Sequence, residues 1–216
     1  MKKILFLCFY FLTIACTKTV EPPEIVPASE IKLSWESKGG AERKEWTKTV
    51  VDLVQKDLDV FSNAKDVKNF CPNYAALDET HKVWVWSELV SSISWFESKT
   101  KINGVYDWNP NSTYQEPPPP KGPGTLSVGL LQMSVGDGYE GCFKKSDSSN
   151  LLKDPKNNLK CGLSAMVTLI RKRGQIIGLG TKPYSGLPEY WSVTRSTASG
   201  HHRDELFAMV KKVPGC

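Results

Sequence analysis

Apolar residues recur at three- and four-residue steps through the middle of this chain. Val83, Trp86, Leu89, Val90, Ile93 and Phe96 mark one stripe, and the spacing predicts an amphipathic helix over residues 83–98. Glu97 lies four residues after Ile93 and continues the stripe. A carboxyl on the buried side of a helix loses hydration, and the partial negative charge of the helix C-terminus pushes the same way, so its pKa rises. A glutamic acid of that kind keeps its proton near neutral pH and serves as a general acid. The same position also suits a rim glutamate paired with Lys99 or Lys101.

The pattern extends on both sides. Trp46, Val50, Leu53, Val54 and Leu58 space as a helix over residues 42–61, followed by a turn at 63–66. Cys71-Pro72-Asn73-Tyr74 breaks the periodicity, and Asp78 and Glu79 suit the start of the central helix. Residues 101–125 cannot be helical, because Asn103-Gly104, Asn109-Pro110 and the four prolines 117–120 forbid it. A loop of this length either walls a cleft or is a solvent-exposed insertion. Ser127-Val128-Gly129-Leu130-Leu131-Gln132-Met133 follows, with a glycine that permits close backbone approach and a lone polar Gln132. Asp154-Pro155 opens a helix with proline in its first turn, and Asn158, Leu159, Gly162, Leu163, Met166, Leu169 and Ile170 carry it to about Gly174. Tyr190-Trp191-Ser192-Val193 is a short apolar piece, and a last helix is expected over 203–212. No internal repeat is visible, and the total is mainly α.

The N-terminus changes the picture of where the protein works. Lys2-Lys3 and the apolar stretch 4–14 read as an export signal over residues 1–15, too short for a good membrane span. Thr13-Ile14-Ala15-Cys16 looks like a bacterial lipobox, although Thr13 stands where leucine is usual. Cleavage before Cys16 and lipidation of it would place an exported lipoprotein on a membrane; ordinary signal cleavage would release it. Residues 17–40, with Pro22, Pro23, Pro27 and Gly39-Gly40, read as a linker, so residues 16–41 form anchor and stalk and 42–216 the folded domain.

Cysteine use agrees with export. Cys71, Cys142, Cys161 and Cys216 remain after the signal, an even number that allows three pairings. The reading taken is Cys142–Cys161, closing a local loop, with Cys71–Cys216 tying back the C-terminus. Their spacings match no zinc site, and His201-His202 reads as solvated loop rather than metal ligand.

The 216 residues suffice for one domain with a core. Seven Trp, seven Tyr and eight Phe can build that core or line a groove for sugars. The net charge of +5 becomes about +3 without Lys2 and Lys3. That mild bias suits an acidic polymer such as bacterial cell wall. No run of basic residues with interleaved aromatics points to nucleic acid.

In this order the pieces resemble the lysozyme-like domain of soluble lytic transglycosylases and goose-type lysozymes. The resemblance rests on Glu97-Ser98 at the end of an apolar helix, then on Ser127-Val128-Gly129-Leu130-Leu131-Gln132. It continues in Asp154-Pro155-Lys156-Asn157-Asn158-Leu159 with Gly162, and more weakly in Tyr190-Trp191-Ser192, where the family often has Ala-Tyr-Asn. It covers about residues 83–193. It implies a mainly α, lysozyme-like helical domain with the long loop beside the active-site cleft. It implies that Glu97 protonates the β-1,4 bond between N-acetylmuramic acid and N-acetylglucosamine, and that Ser98 ties the catalytic helix to the Gly-Leu-Leu-Gln segment. Gln132 and the backbone of Gly129, Leu130 and Met133 would correspond to the floor of the sugar site. Tyr190 would correspond to the tyrosine that approaches the catalytic carboxylate.

The chain departs from the family in two places. Ser134 stands where the goose-type pattern has aspartate, leaving Asp107 and Asp137 as the nearest candidates for a second carboxylate, and residues 114–124 are an insertion. A single acid suits a lytic transglycosylase, in which the substrate's own 6-hydroxyl closes an anhydro ring; hydrolysis asks for a second carboxylate. The expectation is a monomeric, cofactor-free, metal-free peptidoglycan-cleaving lytic transglycosylase, periplasmic or outer-membrane-anchored or secreted. The alternatives are a goose-type muramidase and a non-catalytic cell-wall-binding lipoprotein.

Overall fold

A computed structural model describes residues 30–103, 105–106, 127–140, 142–177, 184–196 and 201–216. The signal segment, Cys16, Asp107 and most of the 101–125 loop lie outside the described residues.

The domain is mainly helical and is built around α3 (Glu79–Ser98). Asp78 caps its first turn, accepting from the His81 N–H at 2.8 Å. The predicted stripe is there: Val83, Trp86, Leu89, Val90 and Ile93 are buried. The opposite face is buried as well, through Val85, Ser87, Glu88, Ser91, Ser92 and Ser94, so α3 is a core helix rather than an amphipathic surface helix. The small serines leave room for close neighbours.

What covers that second face is residues 31–38, which were expected to be linker. Ile31, Leu33 and Trp35 are buried there, and Ser34–Lys38 forms a 3-10 turn. The Ser34 N–H donates to Glu88 Oε2 at 3.0 Å and the Trp35 N–H to Ser91 Oγ at 3.3 Å. Trp35 meets Trp46 edge to face at 5.9 Å, and its indole N–H donates to Thr47 Oγ1 at 2.9 Å. Packing therefore begins about ten residues before Ala41. The stretch looked like linker because only three of its side chains are large and apolar, too few for a periodic signal.

The expected helix over 42–61 is two helices, α1 (Glu42–Lys56) and α2 (Leu58–Ser62), broken at Asp57, whose φ of −113° leaves the helical range. The break turns Phe61 into an aromatic cluster on Trp86 with Phe70 and Tyr74. The Trp86 indole N–H donates to the Tyr74 hydroxyl at 2.7 Å.

Helix α4 (Pro155–Arg173) matches its prediction. Asp154 accepts from the Asn157 N–H at 2.9 Å, Pro155 opens the helix, and Gly174 ends it with φ 65°. It packs on α1, and α5 (Arg203–Val210) packs on α3. Helix α5 stops two residues short of its expected end. Two-residue strands β1 (Val105–Tyr106) and β2 (Ser127–Val128) pair antiparallel and bracket the long loop.

Both expected disulfides are present. Cys71–Cys216 ties the C-terminus to the segment before α3, and Cys142–Cys161 ties the 137–147 loop to α4. Among the described residues no helix is long and apolar enough to cross a membrane.

Candidate active site

Helix α3 must stop directly after Glu97-Ser98, and no glycine is available to stop it. Lys99 and Thr100 take left-handed conformations instead, with φ of 54° and 57°. Such a conformation costs roughly 1–2 kcal/mol per non-glycine residue, most for a β-branched one such as Thr100. It is held by the Lys99 N–H on Trp95 O at 3.0 Å, the Thr100 N–H on Ser94 O at 3.3 Å, and burial of Thr100.

Glu97, on this last turn, is half-buried. Burial pushes its carboxyl up from an ordinary 4.5 to about 7, and the opposing pulls of the Val193 N–H and the Arg195 charge only moderate that rise. Among the described residues no ion pair joins it to Lys99 or Lys101. Lys99 lies instead over the rings of Trp95, at 5.1 Å, and Phe96, at 5.3 Å. Lys99 is thus turned onto aromatic faces rather than onto Glu97.

Ser98 does tie α3 to the Gly-Leu-Leu-Gln segment, its hydroxyl lying 3.0 Å from Leu130 O. That segment is a tight turn on β2. Val128 and Met133 exchange backbone hydrogen bonds of 2.9 and 3.1 Å across it. Gly129 has φ 77°, and a Cβ there would stand 2.6 Å from Leu152 O and 2.5 Å from Asn158 Nδ2. Glycine is thus required twice over, by conformation and by space. Gln132 is left-handed too, with φ 50°, and its side-chain amide donates to Gly129 O at 2.8 Å.

The side chains of Leu130, Leu131 and Met133 are fully buried. Leu130 and Met133 therefore leave only their backbone to a floor, as the resemblance implies, while their side chains pack into the core. Gly129 offers no side chain, and its carbonyl is already engaged.

Asn158 is the residue that sequence reasoning missed as a site element. Wholly buried on α4, it accepts from the Leu131 N–H at 2.8 Å and donates to Val128 O at 2.7 Å and Leu152 O at 3.0 Å. The available signal was an amide at an inward-facing position of an otherwise apolar helix stripe. Gly162, one turn on, lets Leu131 lie against the α4 backbone: a Cβ there would stand 2.2 Å from Leu131 Cδ1.

The 190–195 segment closes the site from the other side. The Trp191 indole N–H donates to Leu131 O at 2.9 Å. The Val193 N–H lowers the Glu97 carboxyl somewhat against the effect of burial, and the Val193 carbonyl accepts from the His202 N–H at 3.0 Å. Tyr190 differs from expectation. Its hydroxyl donates to Asp137 Oδ2 at 2.6 Å and lies 3.3 Å from Gln132 O, so it serves Asp137 rather than the Glu97 carboxyl. The reason is local: Gly136 and Gly138, both with positive φ, bracket Asp137 in a turn beside the floor. Burial raises the Asp137 carboxyl above its ordinary range, and burial together with the Asp137 charge raises the Tyr190 phenol.

His202 lies in a loop with its side chain partly exposed, as expected, but it also makes a ring contact. Its ring stacks on Phe96, with centroids 4.4 Å apart. Among the described residues no group of three or more His, Cys, Asp or Glu side chains converges as a metal would need.

No family model matches the chain, and no curated protein does. Solved structures of the Bdellovibrio protein Bd0314 DslA are similar. Its wild-type form aligns with a TM-score of 0.68 and 27% identity, covering 86% of this chain and 98% of that one. Two variants of that protein, each with one glutamate changed to glutamine, align at 27% and 28% identity with TM-scores of 0.68 and 0.66.

Proposed function

We propose that this protein is a lysozyme-like glycosidase that cleaves the β-1,4 bond between N-acetylmuramic acid and N-acetylglucosamine in peptidoglycan, with Glu97 as its acid. The observation that carries the reading is Glu97 itself, a half-buried carboxyl with a pKa near 7 on the last turn of a core helix, free of any lysine partner among the described residues. The Glu-Ser and Gly-Leu-Leu-Gln resemblance names the substrate.

Protonated Glu97 gives its proton to the glycosidic oxygen as the C1–O bond breaks, releasing the N-acetylglucosamine 4-hydroxyl. The carboxylate then takes the proton of the muramoyl 6-hydroxyl as that oxygen attacks C1 and closes a 1,6-anhydro ring. This lytic transglycosylase route needs one carboxylate. It is preferred because Asp137, the described candidate for a second, is engaged by Ser134 and Tyr190.

Hydrolysis by a goose-type muramidase is the second reading. Its support is that two different glutamates, close together in sequence, have each been changed to glutamine in Bd0314 DslA. Asp107, shortly after Glu97, would be the partner acid here. A cell-wall-binding lipoprotein without turnover is the third. Export, lipidation at Cys16, action as a monomer and a membrane partner belong to the same proposal, supported by the N-terminal pattern and the two disulfides.

Mass spectrometry of products from purified peptidoglycan, digested by the mature domain and by Glu97→Gln, tests the reading. Anhydro-muramoyl ends that fall about 10³-fold in the variant are expected. Reducing ends would move the assignment to hydrolysis with Asp107. No release by wild-type protein would leave the binder.

A further inference from the structure

Asp137 was a candidate second carboxylate, but its surroundings suit a different task. Two donors converge on one of its oxygens: the Ser134 N–H at 2.9 Å and the Tyr190 hydroxyl at 2.6 Å, both on Oδ2. The same phenol oxygen lies 3.3 Å from Gln132 O. A phenol has one proton, and the shorter contact to Asp137 claims it. Tyr190 is thereby drawn against the 129–134 turn, with Asp137 gripping that turn again at Ser134. The turn needs a grip, because Gln132 sits left-handed without being glycine. Ser98, Trp191 and Asn158 hold it at Leu130 and Leu131, while Asp137, itself bonded to Tyr190, holds its other limb at Ser134.

We propose that Asp137 is a positioning residue that clamps Tyr190 to the Gln132–Ser134 limb of the site floor, and is not the second acid or base of the reaction. The inference rests on the glycosidase reading above. A general base must aim a lone pair at the water it activates. A clamp needs only one oxygen that accepts two hydrogen bonds, and an amide oxygen supplies that equally well.

The variants Asp137→Asn, Asp137→Ala and Tyr190→Phe separate the roles. The asparagine carbonyl can replace Oδ2, so Asp137→Asn is expected to stay within about threefold of wild-type kcat/KM with unchanged product ends. Asp137→Ala and Tyr190→Phe are expected to lose about tenfold, mostly in KM, and their combination no more than either alone. Equal losses of about 10³-fold in kcat for Asp137→Asn and Asp137→Ala would overturn the proposal and make Asp137 a base.

A measurement that needs no turnover keeps this apart from the glycosidase reading. The backbone amide NMR signals of Gln132 and Ser134 in the unliganded protein should move in Asp137→Ala and Tyr190→Phe, with the Gln132 signal unmoved in Asp137→Asn. Signals unmoved in Asp137→Ala would sink the clamp even if the enzyme is active. Moved signals in a protein that releases no products would uphold the clamp and sink the glycosidase.

Discussion

The Ser98 hydroxyl lies 3.0 Å from the carbonyl oxygen of Leu130 and 3.1 Å from that of Ser94, so one side chain joins the last turn of α3 to the turn that forms the site floor. Its neighbour Glu97 is aimed by the same helix end. Ser98→Ala leaves Leu130 O without that donor at a half-buried place. We expect a loss of about 1 kcal/mol in stability and a three- to tenfold loss in kcat/KM. Urea melts beside initial rates check both. A stability loss with unchanged rates would mean that the tie does not position Glu97.

The pKa of Glu97, about 7, sets two pH dependences that run in the same direction. In the proposed role of acid it must be protonated, so kcat/KM should fall as pH rises through about 7. For stability, the folded-state pKa lies above the ordinary 4.5, so the favourable contribution is complete below about 4.5 and is lost as pH rises through about 7. Glu97→Gln escapes that loss. It should match wild type near pH 4 and exceed it at pH 8.5 by about 3 kcal/mol, from roughly 1.4 kcal/mol per pKa unit. Urea melts of both proteins at the two pH values decide this. Equal stability at pH 8.5 would mean that burial is not what perturbs Glu97.

Asn158 answers three backbone groups at once, the Leu131 N–H and the carbonyls of Val128 and Leu152. Asn158→Ala leaves all three buried without that partner, and we expect a loss of about 3–4 kcal/mol. Asn158→Asp keeps the acceptor but sets a carboxylate against two carbonyl oxygens, so it should be no better than alanine. A denaturation series shows the order. An aspartate variant near wild type would shift the importance from the two donated bonds to the accepted one.

Legibility in the sequence followed the range of the interaction. Helices α3 and α4 declared themselves because their periodicity, the Asp154-Pro155 start and the Gly174 stop are local signals. The disulfide pairing was open among three arrangements, and the pairing taken is the one found. The break at Asp57 was hidden because Leu58 and Phe61 continue the apolar pattern across it, and only packing on Trp86 shows why the chain turns.

By itself, then, the sequence determined the helical character and the place of Glu97 at a helix end, while the demand for glycine at position 129 came from the turn's geometry. Tertiary structure alone decided that residues 31–38 roof the second face of α3, that Asn158 answers the backbone of the 128–131 turn, and that Tyr190 turns to Asp137. The physical reason is that periodicity records which side chains leave water, while the identity of a hydrogen-bond partner dozens of positions away is settled only when the chain closes on itself.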